Sequence, residues 1–441
     1  MAKKQLVLDW VVLKAADGSK VPGHDTSPLG MPKAKPTGDD TDIELVSRRS
    51  PANTQAWSRD IRDYVSMNAP SMGQKANVPD LVVTSEKMSA DDAREVLSDP
   101  KTLGLAPRMM FRLIKLDESQ QKAATKNLPA GWGIESVGAS TSPEDGKGVT
   151  IAVLDTGIDP THDAFKGVEL VRQNFSDDKS DDDQEGHGTH CAGTIFGRDV
   201  QGQRIGIARG VEKAIIGKVL GKNGGSTQSI VDGIHWAQSQ GANVISMSLG
   251  MDFPGYRQYL VEKKGVPELQ ATSLALSAYR LNIQLFERLA AALMGVQGLV
   301  AGSVVTAAGG NESMLPTYSI LVAPPAAADG VVSVAALGPS KKKGELSLAS
   351  FSNVGAQVAA PGVDIVSAKP KGGLVSMSGT SMATPHVAGV AALWWQRLTK
   401  QQGEGSFGAT DVAQAMTSAC ASLLPGIPKR DVVWGLVKAP Q

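Results

Sequence analysis

The sequence predicts an α/β protein with a mainly parallel central sheet, preceded by a small α+β domain. After residue 147, short apolar runs rich in β-branched residues recur at 148–155, 214–221, 242–250, 303–310 and 330–338. Continuous apolar strands of this kind are typical of parallel sheets that are covered on both faces. Helical stretches separate them, at 226–240, 270–294 and 380–398. In such folds the functional groups collect at the carboxyl ends of the strands.

Residues 1 to about 125 carry the pattern of the smaller domain. Leu6–Leu13 is predicted to be a strand, and Ser89 is predicted to be the N-cap of a helix. Further strands are predicted at 41–49, 79–86 and 106–116, and a further helix at 53–66. A linker is predicted over 117–131, and the larger domain over 132–441.

Composition and charge exclude two classes of partner. The 441 residues carry 44 Lys and Arg against 44 Asp and Glu, so the formal net charge is zero. Because phosphate binding depends on concentrated Lys and Arg and no dense basic cluster is present, a nucleic acid is not an expected partner. No apolar run reaches the roughly 18 residues of a membrane span, so no membrane is expected either.

The cysteine content and the N-terminus bear on the compartment. Cys191 and Cys420 are too few for a disulfide framework and favour free thiols in a reducing compartment. Asp9 and Lys14 interrupt the N-terminal apolar segment, and no small-residue cleavage site follows it, which makes a poor signal peptide. The sequence therefore predicts a cytoplasmic protein, with secretion as the alternative.

Two titratable residues stand at places suited to catalysis. Asp155 closes the run 148–155, where a buried carboxylate is costly unless it has partners. His187 lies in EGHGTHCAG, between glycines that let a substrate backbone approach. Taken singly, an Asp that caps a turn and a solvated His in a glycine-rich turn are equally good interpretations. A metal site of His187, His190 and Cys191 would need a further ligand, and no CxxC or HExxH pattern supplies one.

The segment VSMSGTSMATPHVAG, residues 375–389, contains five hydroxyl side chains that are candidate nucleophiles. His386 follows Ser381 by five residues, which on a helix is about 500° of rotation, or about 140° away from the direction of Ser381. A base that is hydrogen-bonded to the Ser381 hydroxyl must therefore come from another part of the chain.

Three motifs together resemble the subtilisin-like serine proteases, which form the subtilase family, or peptidase family S8. DTGID, GHGTHCAG and SGTSMATPHVAG follow one another in the order Asp, His, Ser, which is the order known for this family. The resemblance runs from Trp132 to the C-terminus. It implies a subtilisin-like three-layer αβα fold and a serine endopeptidase that hydrolyses peptide bonds through an acyl-enzyme.

The resemblance also implies the role of each matching residue. Ser381 is the expected nucleophile, His187 its general base, and Asp155 the carboxylate that orients the base. Asn311 matches the oxyanion asparagine of the family, and the backbone N–H of Ser381 is the second donor. We expect the rate to rise around neutral pH as His187 loses its proton.

Two further residues of the motifs receive supporting roles from the resemblance. His386 is expected to be structural. Cys191 follows the HGTH motif directly, as in the thiol-containing branch of the family, and is expected to pack beneath His187 without acting as a nucleophile. A mercurial that reacts with Cys191 should then inhibit by displacing His187.

A protein or peptide substrate is expected to bind as an added strand. Ser248, Leu249 and Gly250 resemble the family's strand that pairs with an extended substrate. Gly224 and Gly225 lie in a loop that resembles the opposing strand. Main-chain pairing of this kind gives affinity with little reading of the substrate sequence.

The chain departs from the family in two places. Residues 252–300 contain an insertion with a long helical stretch. Its alternative roles are to cover the groove, to narrow specificity, to bind a partner, or merely to lengthen a surface helix. No cofactor is required for the chemistry. A structural calcium ion is an alternative, but Ala164 stands where many relatives place a ligating Asp, which argues against the usual site and leaves a weaker one around Asp199.

The N-terminal segment resembles a subtilase propeptide. Residues 89–117 are similar to the last helix and strand of such a domain. Residues 1–125 are therefore expected to act as an intramolecular inhibitor and folding aid that is cleaved off within 117–131, which makes the protein an autoprocessed zymogen. The alternatives are a processing protease with a permanent, partner-binding N-terminal domain, a catalytically silent binding scaffold, and an esterase that uses the same triad.

Overall fold

The computed structural model describes residues 6–15, 81–113, 116, 128–293, 302–340, 342, 344–421 and 427–441. The strand predicted at 41–49, the helix predicted at 53–66 and most of the linker predicted at 117–131 lie outside these residues. Within them, a small α+β unit precedes a larger α/β unit.

The α+β unit is an antiparallel sheet covered by one helix. Strand β1 (Leu8–Ala15) lies between β2 (Leu81–Met88) and β3 (Thr102–Pro107). Helix α1 (Ala90–Ser98) begins after the predicted N-cap, Ser89. The Ser89 hydroxyl accepts a hydrogen bond from the N–H of Asp92, whose carboxylate accepts one from the N–H of Ser89. This capping box satisfies two backbone donors and so fixes the start of the helix where the sequence predicts it.

The single strand predicted over 106–116 is wrong, because the chain divides there into two strands of different sheets. β3 ends at Pro107, which has no N–H to continue a ladder. The chain then forms β4 (Met110–Arg112), which lies antiparallel between β8 (Gly225–Ser226) and β10 (Gly250–Met251) of the larger unit. The last strand of the N-terminal region is thus inserted into the larger unit.

The larger unit is built on a mainly parallel sheet, as the apolar runs predict. Its strands are β5 (Thr150–Asp155), β6 (Glu169–Asn174), β7 (Lys213–Lys218), β9 (Val244–Met247), β11 (Val304–Ala308), β12 (Val331–Pro339), β13 (Leu346–Leu348) and β14 (Val358–Pro361). Their order is β13–β12–β11–β9–β5–β7–β6, and β14 also pairs with β12. Within this sheet only the pairing of β12 with β13 is antiparallel.

Helices cover both faces of this sheet. They are α2 (Trp132–Ser136), α3 (His187–Phe196), α4 (Thr227–Ser239), α5 (Phe253–Glu262), α6 (Glu268–Leu293), α7 (Thr380–Gln402) and α8 (Ala409–Ser418). Ile151 and Val153 of β5 belong to the core that contains α3 and α7. Ala152 and Leu154 belong to the core that contains α4 and α6. Because side chains alternate across a strand, this division confirms the three-layer αβα arrangement.

Two smaller features complete the larger unit. Strands β15 (Ile365–Ala368) and β16 (Leu374–Met377) pair antiparallel just before α7. Among the described residues, no helix has both the length and the apolar character needed to cross a bilayer.

The helical stretch predicted within the insertion is confirmed as α6, and the shorter α5 precedes it. Buried residues of α6 recur every three or four positions, as at Ala271, Ala275 and Ala278, while Leu269 and Leu276 are exposed. The buried face packs against β3 of the α+β unit as well as against the sheet core. The insertion therefore does more than lengthen a surface helix, because it forms part of the surface that contacts the N-terminal region.

Candidate active site

The carboxylate of Asp155 and the imidazole of His187 meet where a central strand ends and a helix begins. Asp155 is the last residue of β5 and is 1% exposed, and His187 is the first residue of α3. The Nδ1 atom of His187 donates a hydrogen bond of 2.8 Å to Oδ1 of Asp155. The same oxygen accepts a 2.7 Å bond from the N–H of Thr156. The two residues that the motifs single out are thus paired, although 32 positions separate them.

The protonation of His187 is governed by its surroundings. Burial is the largest single influence and lowers the pKa of His187, but the charge of Asp155, the neighbouring Cys191 and the hydrogen bonds to both together raise the pKa well above the ordinary value. Cys191 lies beside the imidazole, and burial raises the pKa of its thiol. Since a thiol of raised pKa is uncharged at neutral pH, Asp155 is the charge that stabilises the imidazolium form.

Cys191 connects this pair to the third motif. Its Sγ lies 3.8 Å from Nδ1 of His187 and 3.5 Å from the carbonyl oxygen of Ser381. The hydroxyl of Ser248 donates a 3.0 Å hydrogen bond to the same carbonyl. Ser381 is the second residue of α7 and is 3% exposed. The Cys191 thiol therefore lies between the imidazole of His187 and the backbone of Ser381, which puts the start of the third motif beside the other two.

Asn311 follows β11 and faces the start of α7. Its Oδ1 accepts hydrogen bonds from the backbone N–H of Thr380 at 2.8 Å and from the Thr380 hydroxyl at 2.9 Å. Because two donors face Oδ1, the amide nitrogen must point elsewhere. A Cβ built on Gly379 would lie 3.1 Å from that nitrogen and 3.6 Å from the backbone nitrogen of Ser381. The two predicted oxyanion donors therefore border the same space beside Gly379.

The residues predicted to pair with a substrate form a groove, and β4 lies in it. Gly250 pairs with Arg112, and Gly225 pairs with Phe111. Gly224 has a φ of 85°, and a Cβ there would lie 2.4 Å from the carbonyl oxygen of Phe111. Glycine is thus required at this position for the close approach of the two backbones. Leu249 lies between Ser248, which contacts the Ser381 carbonyl, and Gly250, which pairs with β4; its side chain is fully buried.

Asn282 of the insertion contacts the segment that enters the groove, which the sequence analysis did not anticipate. Its Nδ2 donates to the carbonyl of Pro107 at 2.9 Å. Its Oδ1 accepts from the hydroxyl of Thr227 at 2.7 Å, and that hydroxyl accepts from the N–H of Met109 at 3.0 Å. The sequence did contain one signal for this contact: Asn282 is a polar residue on the apolar face of a long helix, and a buried amide needs hydrogen-bond partners.

Two side-chain contacts hold β4 itself. Phe111 is 1% exposed and meets Phe286 of α6 edge to face. Arg112 forms a 3.0 Å ion pair with Asp252, the N-cap of α5. Nothing in the sequence singles out Phe286 or Asp252 as partners of residues in β4, because both contacts join distant segments.

The other histidines of the motifs are structural. Nε2 of His190 lies 2.9 Å from the carbonyl of Ile365, and burial lowers the pKa of His190 to about 3. Nδ1 of His386 lies 2.8 Å from the carbonyl of Met382 in its own helix, and burial lowers the pKa of His386 to about 4. His190 therefore does not join His187 in a metal site. Within the part of the chain that the structure describes, the cluster of suitable spacing is instead Asp155, His187 and Cys191, whose ligand atoms lie within 4.8 Å of one another.

The residues around Ala164 do not fit a calcium ion. Ala164 is fully buried, and the neighbouring Asp163 forms a 2.7 Å ion pair with Lys166 at the surface. A calcium ion would need backbone carbonyls as ligands. Near the loop that follows α3, however, such carbonyls accept hydrogen bonds from arginines. Arg198 donates to the carbonyls of residues 196, 209 and 211, and Arg204 to those of residues 139, 206 and 207.

Comparison with known proteins finds a family that matches most of the larger unit. The model of the subtilase family matches residues 146–435. Subtilisin-like protease 6 of Trichophyton verrucosum is 36% identical over 291 residues, which cover 63% of this chain and 61% of that protein. Subtilisin-like protease 1 of Trichophyton equinum is 31% identical over 361 residues, which cover 77% of this chain and 60% of that protein. The chain thus spans less than two thirds of the length of these relatives.

The cytoplasmic location predicted from the sequence is wrong. The similarity to these fungal subtilisin-like proteases points to secretion instead. The prediction depended on the lack of a convincing signal peptide and on the small number of cysteines. Neither property determines where a protein functions.

Proposed function

The chain belongs to the subtilase family, and from this premise we propose that it is a serine endopeptidase that hydrolyses peptide bonds through an acyl-enzyme. The hydrogen bond from His187 to Asp155 is the observation that carries the proposal. It fixes the imidazole tautomer with the proton on Nδ1, which leaves Nε2 as the proton acceptor for a nucleophile. Ser381, whose backbone carbonyl lies 3.5 Å from the Cys191 thiol beside His187, is proposed to take this role.

The reaction follows from these positions. The Ser381 oxygen attacks the carbonyl carbon of the substrate while Nε2 of His187 takes the hydroxyl proton. The tetrahedral intermediate collapses when His187 returns that proton to the leaving amine. Water then attacks the acyl-enzyme, with His187 again taking and returning the proton, and the carboxylic acid is released. Asp155 stays ionised throughout and stabilises the imidazolium.

Asn311 and the N–H of Ser381 are proposed to stabilise the oxyanion of the tetrahedral intermediates. The support is that Thr380 holds Oδ1 of Asn311, so that its amide nitrogen and the Ser381 nitrogen border one space. Donors fixed in this way cost no reorganisation when charge develops, and loss of one typically costs about 10²–10³ in kcat.

A protein or peptide substrate is proposed to lie extended between β8 and β10. The support is that β4 occupies this groove with main-chain pairing on both sides. Pairing by backbone atoms suits peptides of many sequences, while the pocket that receives Phe111 favours a large apolar side chain at that position.

The N-terminal region is proposed to be an intramolecular inhibitor that the enzyme removes within 117–131. β4 blocks the groove in the manner of a substrate, and β3 packs against α6, so both parts of the region contact the larger unit. A chain in this arrangement would be inactive until the segment is cut and released, which is the property of a zymogen.

Replacement of Ser381 tests the function. We expect the wild-type chain to shorten on purification and to cleave a denatured protein, and we expect Ser381→Ala to stay at full length and to be inactive. Equal activity of both proteins would reject the triad. A wild type that is active at full length would reject autoprocessing and favour a permanent N-terminal domain.

A further inference from the structure

Asp183 is a buried carboxylate in the acidic loop between β6 and α3. It is 7% exposed, and its two carboxylate oxygens accept five hydrogen bonds. Oδ1 accepts from the hydroxyl of Thr156 at 2.9 Å, the N–H of Glu185 at 3.0 Å and the N–H of Gly186 at 2.8 Å. Oδ2 accepts from the N–H and the hydroxyl of Thr189 at 2.9 and 2.7 Å.

These partners surround the catalytic pair. Gly186 and Thr189 lie on either side of His187 at the start of α3, where backbone N–H groups have no partner within the helix. Thr156 directly follows Asp155, and its hydroxyl also accepts from the N–H of Gly188 at 2.9 Å. One carboxylate therefore connects the backbone around His187 to the end of the strand that carries Asp155.

The close approach of α3 to β5 shows why this connection matters. A Cβ built on Gly188 would lie 2.2 Å from the carbonyl of Gly157, so the two backbones are in direct contact. The separation of His187 from Asp155 is then set by how α3 sits on the end of β5. Asp183 bonds to both sides of this contact.

A buried lysine fixes the loop that carries Asp183. Lys218 ends β7, in register with Asp155, and is 2% exposed. Its Nζ lies 3.0 Å from Oδ2 of Asp178, 3.0 Å from the carbonyl of Ser180 and 2.9 Å from the carbonyl of Asp182. The residue directly before Asp183 is thus anchored to the central sheet, which holds the carboxylate in place.

We propose that Asp183 is a positioning residue for catalysis, whose carboxylate holds the start of α3 so that His187 stays hydrogen-bonded to Asp155. The inference rests on the proposed serine endopeptidase function. A carboxylate is required because all five partners donate. An amide would offer one acceptor oxygen and turn its NH₂ group toward a backbone N–H at 3.0 Å or less.

Steady-state kinetics on the full chain after its own processing test the role. We expect Asp183→Asn to lower kcat by about 10- to 100-fold, because a small displacement of a catalytic group has effects of this size. KM should change little, because Asp183 does not border the groove. Asp181→Asn is the matched control, since it removes the same charge from an exposed residue of the same loop. A kcat for Asp183→Asn within twofold of the wild type would overturn the proposal.

Proton NMR gives a readout that does not depend on activity. In the full-length Ser381→Ala chain, the proton between His187 and Asp155 should resonate far downfield, and loss of this signal in a His187→Gln chain identifies it. Adding Asp183→Asn should shift or broaden the signal, and adding Asp181→Asn should not. An unchanged signal would overturn the positioning role even if the wild type proves to have no peptidase activity, which separates this failure from that of the proposed function.

A second pair of variants covers the case in which Asp183→Asn does not fold. Thr189→Val removes one hydroxyl that donates to Asp183 and keeps the volume of the side chain. We expect kcat to fall several-fold in Thr189→Val with KM retained, and to recover in Thr189→Ser, which restores the donor. Equal kcat values for Thr189→Val and the wild type would reject the proposal.

Discussion

The ring of Phe111 meets the ring of Phe286 edge to face, with the centroids 5.8 Å apart and the planes at 80°. Phe111 lies in the strand that fills the groove, and Phe286 lies in the long helix of the insertion. The contact therefore joins the N-terminal region to the segment of the larger unit that is predicted to be an insertion. Both rings are at most 2% exposed, so the contact is fully shielded from water.

Loss of this contact should make the N-terminal region leave the groove sooner. Phe111→Ala removes a buried ring, a change that typically costs about 3–5 kcal/mol in a protein core. If the N-terminal region inhibits after it is cut, the lag before full peptidase activity should shorten at least about tenfold, because weaker binding speeds dissociation. Continuous assays of freshly processed enzyme measure this lag. Met110→Ala is the control, because Met110 is 41% exposed, and an equal effect of both changes would contradict the prediction.

The rate should rise with pH above the ordinary titration range of histidine. Asp155 and Cys191 together outweigh burial and hold the pKa of His187 well above 6.5, so the inactive imidazolium persists to higher pH. The sequence alone predicts a rise around neutral pH, whereas the surroundings of His187 shift the rise to higher pH. The pH dependence of kcat/KM checks this. A rise that is complete below pH 6.5 would be inconsistent with the direction of the shift.

Replacing Asp155 by Asn should remove both the charge and the hydrogen bond to Nδ1. We expect kcat to fall by about 10⁴-fold, the size seen for the same change in another serine protease triad. The rise of kcat/KM should also move to lower pH, because the charge that raises the pKa of His187 is lost while burial remains. Residual activity above one tenth of the wild type would show that Asp155 does not orient the base.

A mercurial should inhibit through Cys191. The Cys191 Sγ lies 3.8 Å from Nδ1 of His187, so a metal atom on the sulfur would displace the imidazole. We expect Cys191→Ala to retain activity in the presence of the mercurial, and Cys420→Ala to be inhibited like the wild type. Unchanged activity of wild type with Cys191 fully modified, as measured by mass spectrometry, would contradict the prediction.

The segment after α3 should be stable without calcium. Arg204 donates three hydrogen bonds of 3.1 Å to backbone carbonyls, and Arg198 binds three others. We expect a chelator to leave the unfolding midpoint of the Ser381→Ala chain unchanged. Arg204→Met should lower the free energy of unfolding by about 1–3 kcal/mol, because it leaves buried carbonyls without donors. Arg430→Met is the control at an arginine that is 81% exposed. An unfolding midpoint that the chelator lowers would contradict the prediction.

The sequence by itself determined the features that a few neighbouring residues encode. The apolar runs predicted the strands of a parallel sheet, and Ser89 as N-cap predicted the start of α1. Three motifs in the order Asp, His, Ser identified the family and the candidate residues Asp155, His187 and Ser381. Each of these signals is local, because strand periodicity, helix caps and glycine-rich turns act over a few residues.

Only the tertiary structure decided which distant residues meet. The position of β4 between β8 and β10, the bonds of Asn282 to Pro107 and Thr227, and the bond of the Thr156 hydroxyl to Asp183 depend on how distant segments pack together. Asn282 and Pro107, for example, are 175 positions apart. A buried polar group must find partners wherever the packing brings them, and no spacing within a single chain segment specifies that meeting.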